Sequence, residues 1–318
     1  RHHRRSQSGP PRSARVHALT APPEISVKLP NGSRSRSLCC LVLLLAGEAA
    51  AATINATNRH AYGANIGWLD ARGDAANGAV IGQFFCTGHV WSANCGWISL
   101  GNGPTNGWQY GNAAAADWGV NHDGQGRLRG LAYGANIGWI AFESNGNPRV
   151  SLLTGNLSGF AYGANVGWIS LSNSQAFVRT DRLGAGPDAD GDGLPDAWEF
   201  SITSSLTNLN GGATDRDGDG VTDTGEYLAD TDPLDDASLL EITALARAGG
   251  TNRVAWTVEP TRLYRLEQAG GVTNGADWTD SGLGLLAPGS GLAVTGVVAD
   301  ATATGRAYRA VAILPLAP

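Results

Sequence analysis

Residues 188–226 hold two tandem copies of a pattern that suits a hard divalent cation. The first runs from Asp188 to Glu199 and the second from Asp215 to Glu226. Asp188, Asp190, Asp192, Asp196 and Glu199 stand at positions 1, 3, 5, 9 and 12 of the first copy, as do Asp215, Asp217, Asp219, Asp223 and Glu226 in the second. Position 6 is glycine in both, Gly193 and Gly220. A hard cation needs about six to eight oxygens at short range, and alternate residues of a tightly turned loop point theirs inward. Glycine permits the sharp turn at position 6. Position 7, Leu194 or Val221, is expected to add a backbone carbonyl. The alternative, an acidic solvated linker, would not repeat the full spacing with its glycine.

Other chemistry is hard to find. Beyond residue 52 the histidines are His60, His89 and His122, without the His-x-x-x-His spacing of a zinc site. His60 and His89 hold similar positions ahead of the first two repeat cores described below, which points to a structural role. There is no Gly-x-Ser-x-Gly elbow and no phosphate-binding Gly-Lys-Ser/Thr. Paired carboxylates, as glycosidases use, are plentiful, but cation binding accounts for those of residues 181–237. The expectation is a protein that is not an enzyme.

Charge is segregated along the 318 residues. Residues 181–237 carry thirteen Asp and two Glu against Arg182 and Arg216, a net of −13. Residues 1–52 carry seven Arg and the sole lysine, Lys28, against two Glu, a net of +6. An acidic chain without lysine beyond residue 52 is a poor partner for nucleic acid, where cationic phosphate contacts supply most of the affinity. Arg34 and Arg36 precede an apolar run, Leu38–Ala46, too short for a stable bilayer span, and small residues follow at Ala49–Ala52. That order reads as an export signal cleaved near Ala52, which leaves no membrane span in the mature chain and places it outside the cell or on its surface. The alternative is a buried apolar helix. The long basic stretch before Arg34 and the lack of methionine point to a mis-assigned start or a fragment. Cleavage would remove Cys39 and Cys40. The pair left, Cys86 and Cys95, suggests a disulfide in an exported protein, the alternative being two buried free thiols.

The elements that position the loops divide into regions. Residues 1–52 are the basic leader and signal. Residues 53–181 carry an internal repeat: Ala61-Tyr-Gly-Ala-Asn-Ile-Gly-Trp68 recurs at Ala132–Trp139 and, with valine for isoleucine, at Ala161–Trp168. A degenerate copy reads Val90-Trp-Ser-Ala-Asn-Cys-Gly-Trp97. The tryptophans are 29, 42 and 29 residues apart, the period of a copied supersecondary unit. Each copy reads as a β-hairpin, with Asn and Gly tolerating the positive φ of its turn. Trp168 and Ser170 should face one way, Ile169 and Leu171 the other. Both faces carry apolar residues, so both are expected to be covered or stacked, with no bare solvent face. The equivalent aromatics, Tyr62, Trp91, Tyr133 and Tyr162 on one strand and Trp68, Trp97, Trp139 and Trp168 on its partner, then read as core or inter-repeat stacking, or as a sugar-binding platform. Cys95 takes the place of Ile66, Ile137 and Val166, which predicts burial.

Residues 182–237 form the acidic segment, and residues 238–318 show short strand-like runs split by Gly, Asn, Asp and Pro, the mark of an antiparallel β-sandwich. The fold class expected is mainly β, with a tandem hairpin domain, a cation-loop segment and a C-terminal sandwich.

The two Asp-x-Asp-Gly-Asp-Gly loops, with the tail Glu226-Tyr-Leu-Ala-Asp-Thr-Asp-Pro233, resemble bacterial thrombospondin type 3 repeats and their EF-hand-like loops. The likeness covers roughly fifty residues. It implies calcium coordination by the ten carboxylates named above, in a compact, ion-filled spacer of a secreted protein. Pro195 departs from the paired EF-hand pattern, because proline lacks the N–H a small inter-loop strand would use. The Ala-Tyr-Gly-Ala-Asn-x-Gly-Trp copies are similar to a repeat of exported bacterial proteins, and the C-terminal part resembles small β-sandwich modules that follow such calcium segments. The expected function is an exported calcium-binding structural or adhesion protein of the cell surface, with calcium ions and surface glycans or extracellular proteins as partners. A carbohydrate-binding protein using the repeat aromatics is the alternative.

Overall fold

The structure is a computed structural model and describes residues 52–212, 214–248, 250–270, 277–288, 293–299 and 306–317. The export signal with Cys39 and Cys40 falls outside these residues. Among the described residues no helix is long and apolar enough to cross a membrane.

The four repeats are four hairpins: β1 (Ile54–Gly63) with β2 (Gly67–Asp70), β3 (His89–Ser92) with β4 (Gly96–Ser99), β5 (Leu128–Gly134) with β6 (Gly138–Phe142), and β7 (Phe160–Gly163) with β8 (Gly167–Ser170). Each strand pairs antiparallel with the next, and β8 returns to β1 through Tyr62↔Ser170 and Gly63↔Ile169. The tandem hairpin domain is therefore a closed eight-stranded barrel, which leaves no free sheet edge among the eight. Inward residues alternate as the pleat requires. Ala61, Leu69, Ile98, Ala132, Ile140, Ala161 and Ile169 fill the interior, leaving a void of only about 60 Å³ lined by apolar side chains. The interior is a packed core.

Its hairpin end is closed by the sixth residue of each repeat. Ile66, Cys95, Ile137 and Val166 are all buried. Each folds back over the third residue: a Cβ added at Gly63 would lie 2.7 Å from Ile66, and one at Gly163 would lie 2.6 Å from Val166. In the degenerate copy both positions change together. Ser92 replaces the glycine where the smaller Cys95 replaces Ile or Val, and Ser92 is fully buried. The asparagines do something the turn reading did not foresee. Asn65 donates to the carbonyl of Val166 at 3.1 Å, Asn94 to Ile66 at 3.0 Å, Asn136 to Cys95 at 3.2 Å and Asn165 to Ile137 at 3.0 Å. This ring stitches each hairpin to its neighbour around the barrel mouth. Positive φ falls on the seventh residue, Gly67, Gly96, Gly138 and Gly167, and on none of the asparagines.

Of the expected cover or stacking of the aromatics, the structure has the stacking and not the cover. Trp68, Trp97, Trp139 and Trp168 are 44–50% exposed, because the closed barrel already buries the opposite face. Each ring instead packs on its cross-strand partner at 4.8–5.0 Å between centroids. His60 and His89 set their edges toward Trp68 and Trp97 at 6.3 and 6.1 Å, which fits the structural role expected of them. The disulfide is not formed either: Cys86 and Cys95 are buried free thiols. Cys95 closes the hairpin end, whereas Cys86 precedes β3, so the whole of β3 separates them, roughly 10 Å of extended chain against a Cα limit of about 7 Å. Burial pushes the Cys86 thiol up to about 12.

After the barrel come two short helices, α1 (Asp196–Thr203) and α2 (Asp223–Ala229). Six strands follow: β9 (Ile242–Ala248), β10 (Thr251–Thr257), β11 (Leu263–Ala269), β12 (Thr279–Asp280), β13 (Ala293–Ala299) and β14 (Ala307–Ile313). They make two three-stranded antiparallel sheets, β9-β10-β13 and β12-β11-β14. Val254, Trp256 and Val258 share one core with Tyr264 and Leu266.

Candidate metal centre

The two acidic loops adopt the same conformation. Asp188 accepts from the amides of Gly191 and Gly193, and Asp215 from those of Gly218 and Gly220. Gly193 and Gly220 both sit at φ 98°, which glycine adopts without the Cβ penalty other residues meet there. The Leu194 amide donates to Asp192, and the Val221 amide to Asp219. The result is two carboxylate clusters, Asp188–Asp190–Asp192 and Asp215–Asp217–Asp219, whose oxygens come within 4.8 Å of one another.

The last position of each loop lies in the first turn of a helix. Pro195 and Thr222 precede α1 and α2, which places Glu199 and Glu226 on the first turn beside the clusters. Both glutamates are fully buried, and all four of their carboxylate oxygens lack a hydrogen-bond partner. Burial, then Asp192, Asp190, Asp196 and Asp188, push Glu199 up to about 8. Burial, then Asp217, Asp219, Asp223 and Asp215, do the same to Glu226, also to about 8. Asp217 and Asp219 each have one further buried oxygen without a partner.

An unpaired buried carboxylate costs several kcal/mol, and here the protein places two of them beside clusters of like charge. Native structures give the large majority of buried polar side-chain atoms a hydrogen-bond partner. A divalent cation coordinated by the cluster and the glutamate would remove both penalties. The donor set is all oxygen, which suits calcium and similar hard ions. The residues present therefore fit a metal ion of that kind.

The position-9 aspartates also serve the loop itself. Asp196 accepts from the Ala189 amide, and Asp223 from the amides of Arg216 and Asn210, so both close the loop on itself. Gly211 donates to Asp192, which ties the connecting chain to the first cluster. Leu194, fully buried, packs with Trp198, Leu209 and Tyr227 in a small core under the two loops, and Trp198 meets Tyr227 edge to face at 5.4 Å. Among the described residues no strand pairs the loops.

The tail of the segment docks on the C-terminal region. Asp230 pairs with Arg262 at 3.3 Å and accepts from the Thr261 hydroxyl. Arg262, 5% exposed, also donates to the carbonyls of Tyr227 and Leu228. Tyr227 reaches the barrel side through Gln83 at 3.1 Å, and a Cβ added at Gly107 would strike the Phe200 ring at 2.4 Å. The segment thus touches both β-regions. Nothing in the sequence marks Gln83 or Arg262, since each acts through a contact distant along the chain. Comparison with protein-family models, curated proteins and solved structures finds no match to this chain.

Proposed function

We propose that the chain is an exported calcium-binding structural or adhesion protein, not an enzyme, in which ions in the two acidic loops rigidify the spacer between the barrel and the C-terminal sheets. One observation carries the reading: Glu199 and Glu226 are buried beside aspartate clusters with every carboxylate oxygen unpartnered. A thrombospondin type 3 character, with a C-terminal sandwich following the spacer, is the family form of this reading. Contacts of the segment with Gln83 and Arg262 explain why ordering it would fix the β-regions about it. Without the ion, clustered carboxylates repel and the buried glutamates are uncompensated. With it, binding stabilises the folded state by mass action. Loops of this type in extracellular modules bind at about 0.1–1 mM. Replacing Glu199 and Glu226 by Gln should weaken calcium binding tenfold or more, about 1.4 kcal/mol per decade, as read by calorimetry. Unchanged affinity in the double variant would remove the glutamates from the site.

A second reading, a carbohydrate-binding protein, is favoured by the exposed aromatic pairs around the barrel. Aromatic faces stack on the apolar faces of sugars, and a shallow cleft beside Trp97 also offers Asp74, Asn77 and His89. Loss of glycan binding in Trp97→Ala would support it.

A further inference from the structure

A cleft of about 490 Å³ lies where the barrel loops meet the acidic segment and Arg262. It is large enough for a small organic ligand. Its barrel side carries Phe84, Trp108, Gln83 and Gln109, and Asp123 and Asp232 line it as well. Helix α1 contributes Trp198, Ser201 and Ile202 to the lining.

The lining selects a chemistry. An anion finds no uncommitted cation, because the Arg262 guanidinium is already bound to Asp230 and to two carbonyls. It would also face Asp123, Asp230 and Asp232. A wholly apolar ligand would strand amide and carboxylate groups without partners. A cation finds little uncommitted charge either, because Asp230 is paired with Arg262 and Asp123 with Arg127. The lining then favours a neutral ligand with an apolar face for Trp108 and Phe84 and hydroxyls for Gln83, Gln109 and Asp232. That description is a saccharide unit.

The same cleft is mechanically tied to the acidic loops. Glu199 and the wall residues Ser201 and Ile202 lie on one eight-residue helix. Phe200 of that helix sits against Gly107, next to Trp108. Gln83 is held by Tyr227, the neighbour of Glu226. Whatever orders the loops therefore bears on Ser201, Ile202 and Gln83, which line the cleft.

We infer that this cleft binds a neutral oligosaccharide and that calcium in the adjacent loops raises its affinity. The coupling clause rests on the calcium reading above; the cleft itself does not. Coupling between two binding sites is reciprocal, so the saccharide must raise calcium affinity by the same factor.

The test uses the full chain and panels of neutral gluco-, galacto-, manno- and xylo-oligosaccharides, with calorimetry and tryptophan fluorescence as readouts. Calcium occupancy is measured separately on the same preparation. Saturable binding of one series should fall at least tenfold in Trp108→Ala and in Gln109→Ala, remain in Trp97→Ala, and fall at least tenfold in chelator. Circular dichroism melting checks that each variant is folded. No binding by any panel member to calcium-loaded protein overturns the inference. So does binding that survives in folded Trp108→Ala and Gln109→Ala, or that is lost in Trp97→Ala, which would move the site to the outer aromatics. Preferential binding of a cationic oligolysine also overturns the saccharide assignment. Trp108-dependent binding that ignores chelator supports the cleft and overturns the coupling.

Discussion

The barrel and the acidic segment solve the problem of burial in opposite ways. The barrel buries mostly alkyl groups and no charge: its core is dominated by Ile, Leu, Val and Ala, and its asparagine ring closes on backbone carbonyls. Its one unpartnered buried side-chain polar atom among the described residues is the Ser92 hydroxyl. The segment buries two carboxylates with no partner from the chain. A barrel of this kind is complete as a polypeptide. The acidic segment, on the reading proposed above, needs an ion that the barrel does not, so the two regions should respond differently to calcium.

The largest effect should follow calcium removal. Chelation should expose residues 182–237 to protease while leaving the barrel protected, as read by limited proteolysis with mass mapping. The converse variant, Leu128→Ala, removes a fully buried barrel side chain and should cost about 2–5 kcal/mol. Chemical denaturation should show that loss with and without calcium. Next, Cys95→Ile should overpack the hairpin end against Ser92 and cost about 1–3 kcal/mol. Adding Ser92→Gly restores the pairing of the other three repeats and should recover most of it, a non-additivity that a double-mutant cycle measures.

A smaller, pH-dependent effect belongs to His122. It is fully buried, accepts from the Gly126 amide at Nε2 and therefore donates from Nδ1 to Gly82 at 2.8 Å. Burial lowers its pKa from 6.5. The unfolded chain thus takes up a proton first as pH falls below about 6.5. The stability His122 contributes is present above that pH and lost as pH falls toward the lower folded value. Glu199 and Glu226, raised to about 8, act in the opposite sense when no ion is bound. The His122 effect is therefore read as the difference in thermal melting between the wild-type chain and His122→Gln from neutral to mildly acid pH, which should shrink as pH falls.

Much of this was legible in residue patterns. The period of the Ala-Tyr-Gly-Ala-Asn-x-Gly-Trp copies gave four hairpins, and the twelve-residue spacing gave both loops, because each signal is local. Burial of Cys95 followed from its place among Ile66, Ile137 and Val166. Closure of the barrel was not legible: the β1–β8 pairing joins residues more than a hundred apart with no local mark. For the same reason the ring role of Asn65 and its equivalents was read as turn chemistry. The tryptophans stack as expected, yet stay about half-exposed, because a closed barrel hides only its inner face. The Cys86–Cys95 pairing failed because sequence separation says nothing of the strand that holds the two thiols apart.

The central claim is that the acidic segment is a metal site completed by Glu199 and Glu226. Calcium titration of the full chain by calorimetry, with circular dichroism alongside, tests it most directly. The account predicts saturable binding of about two ions at 0.1–1 mM, with ordering of the segment on the same isotherm. No saturable binding at several times that concentration would contradict it and leave the loops an acidic linker.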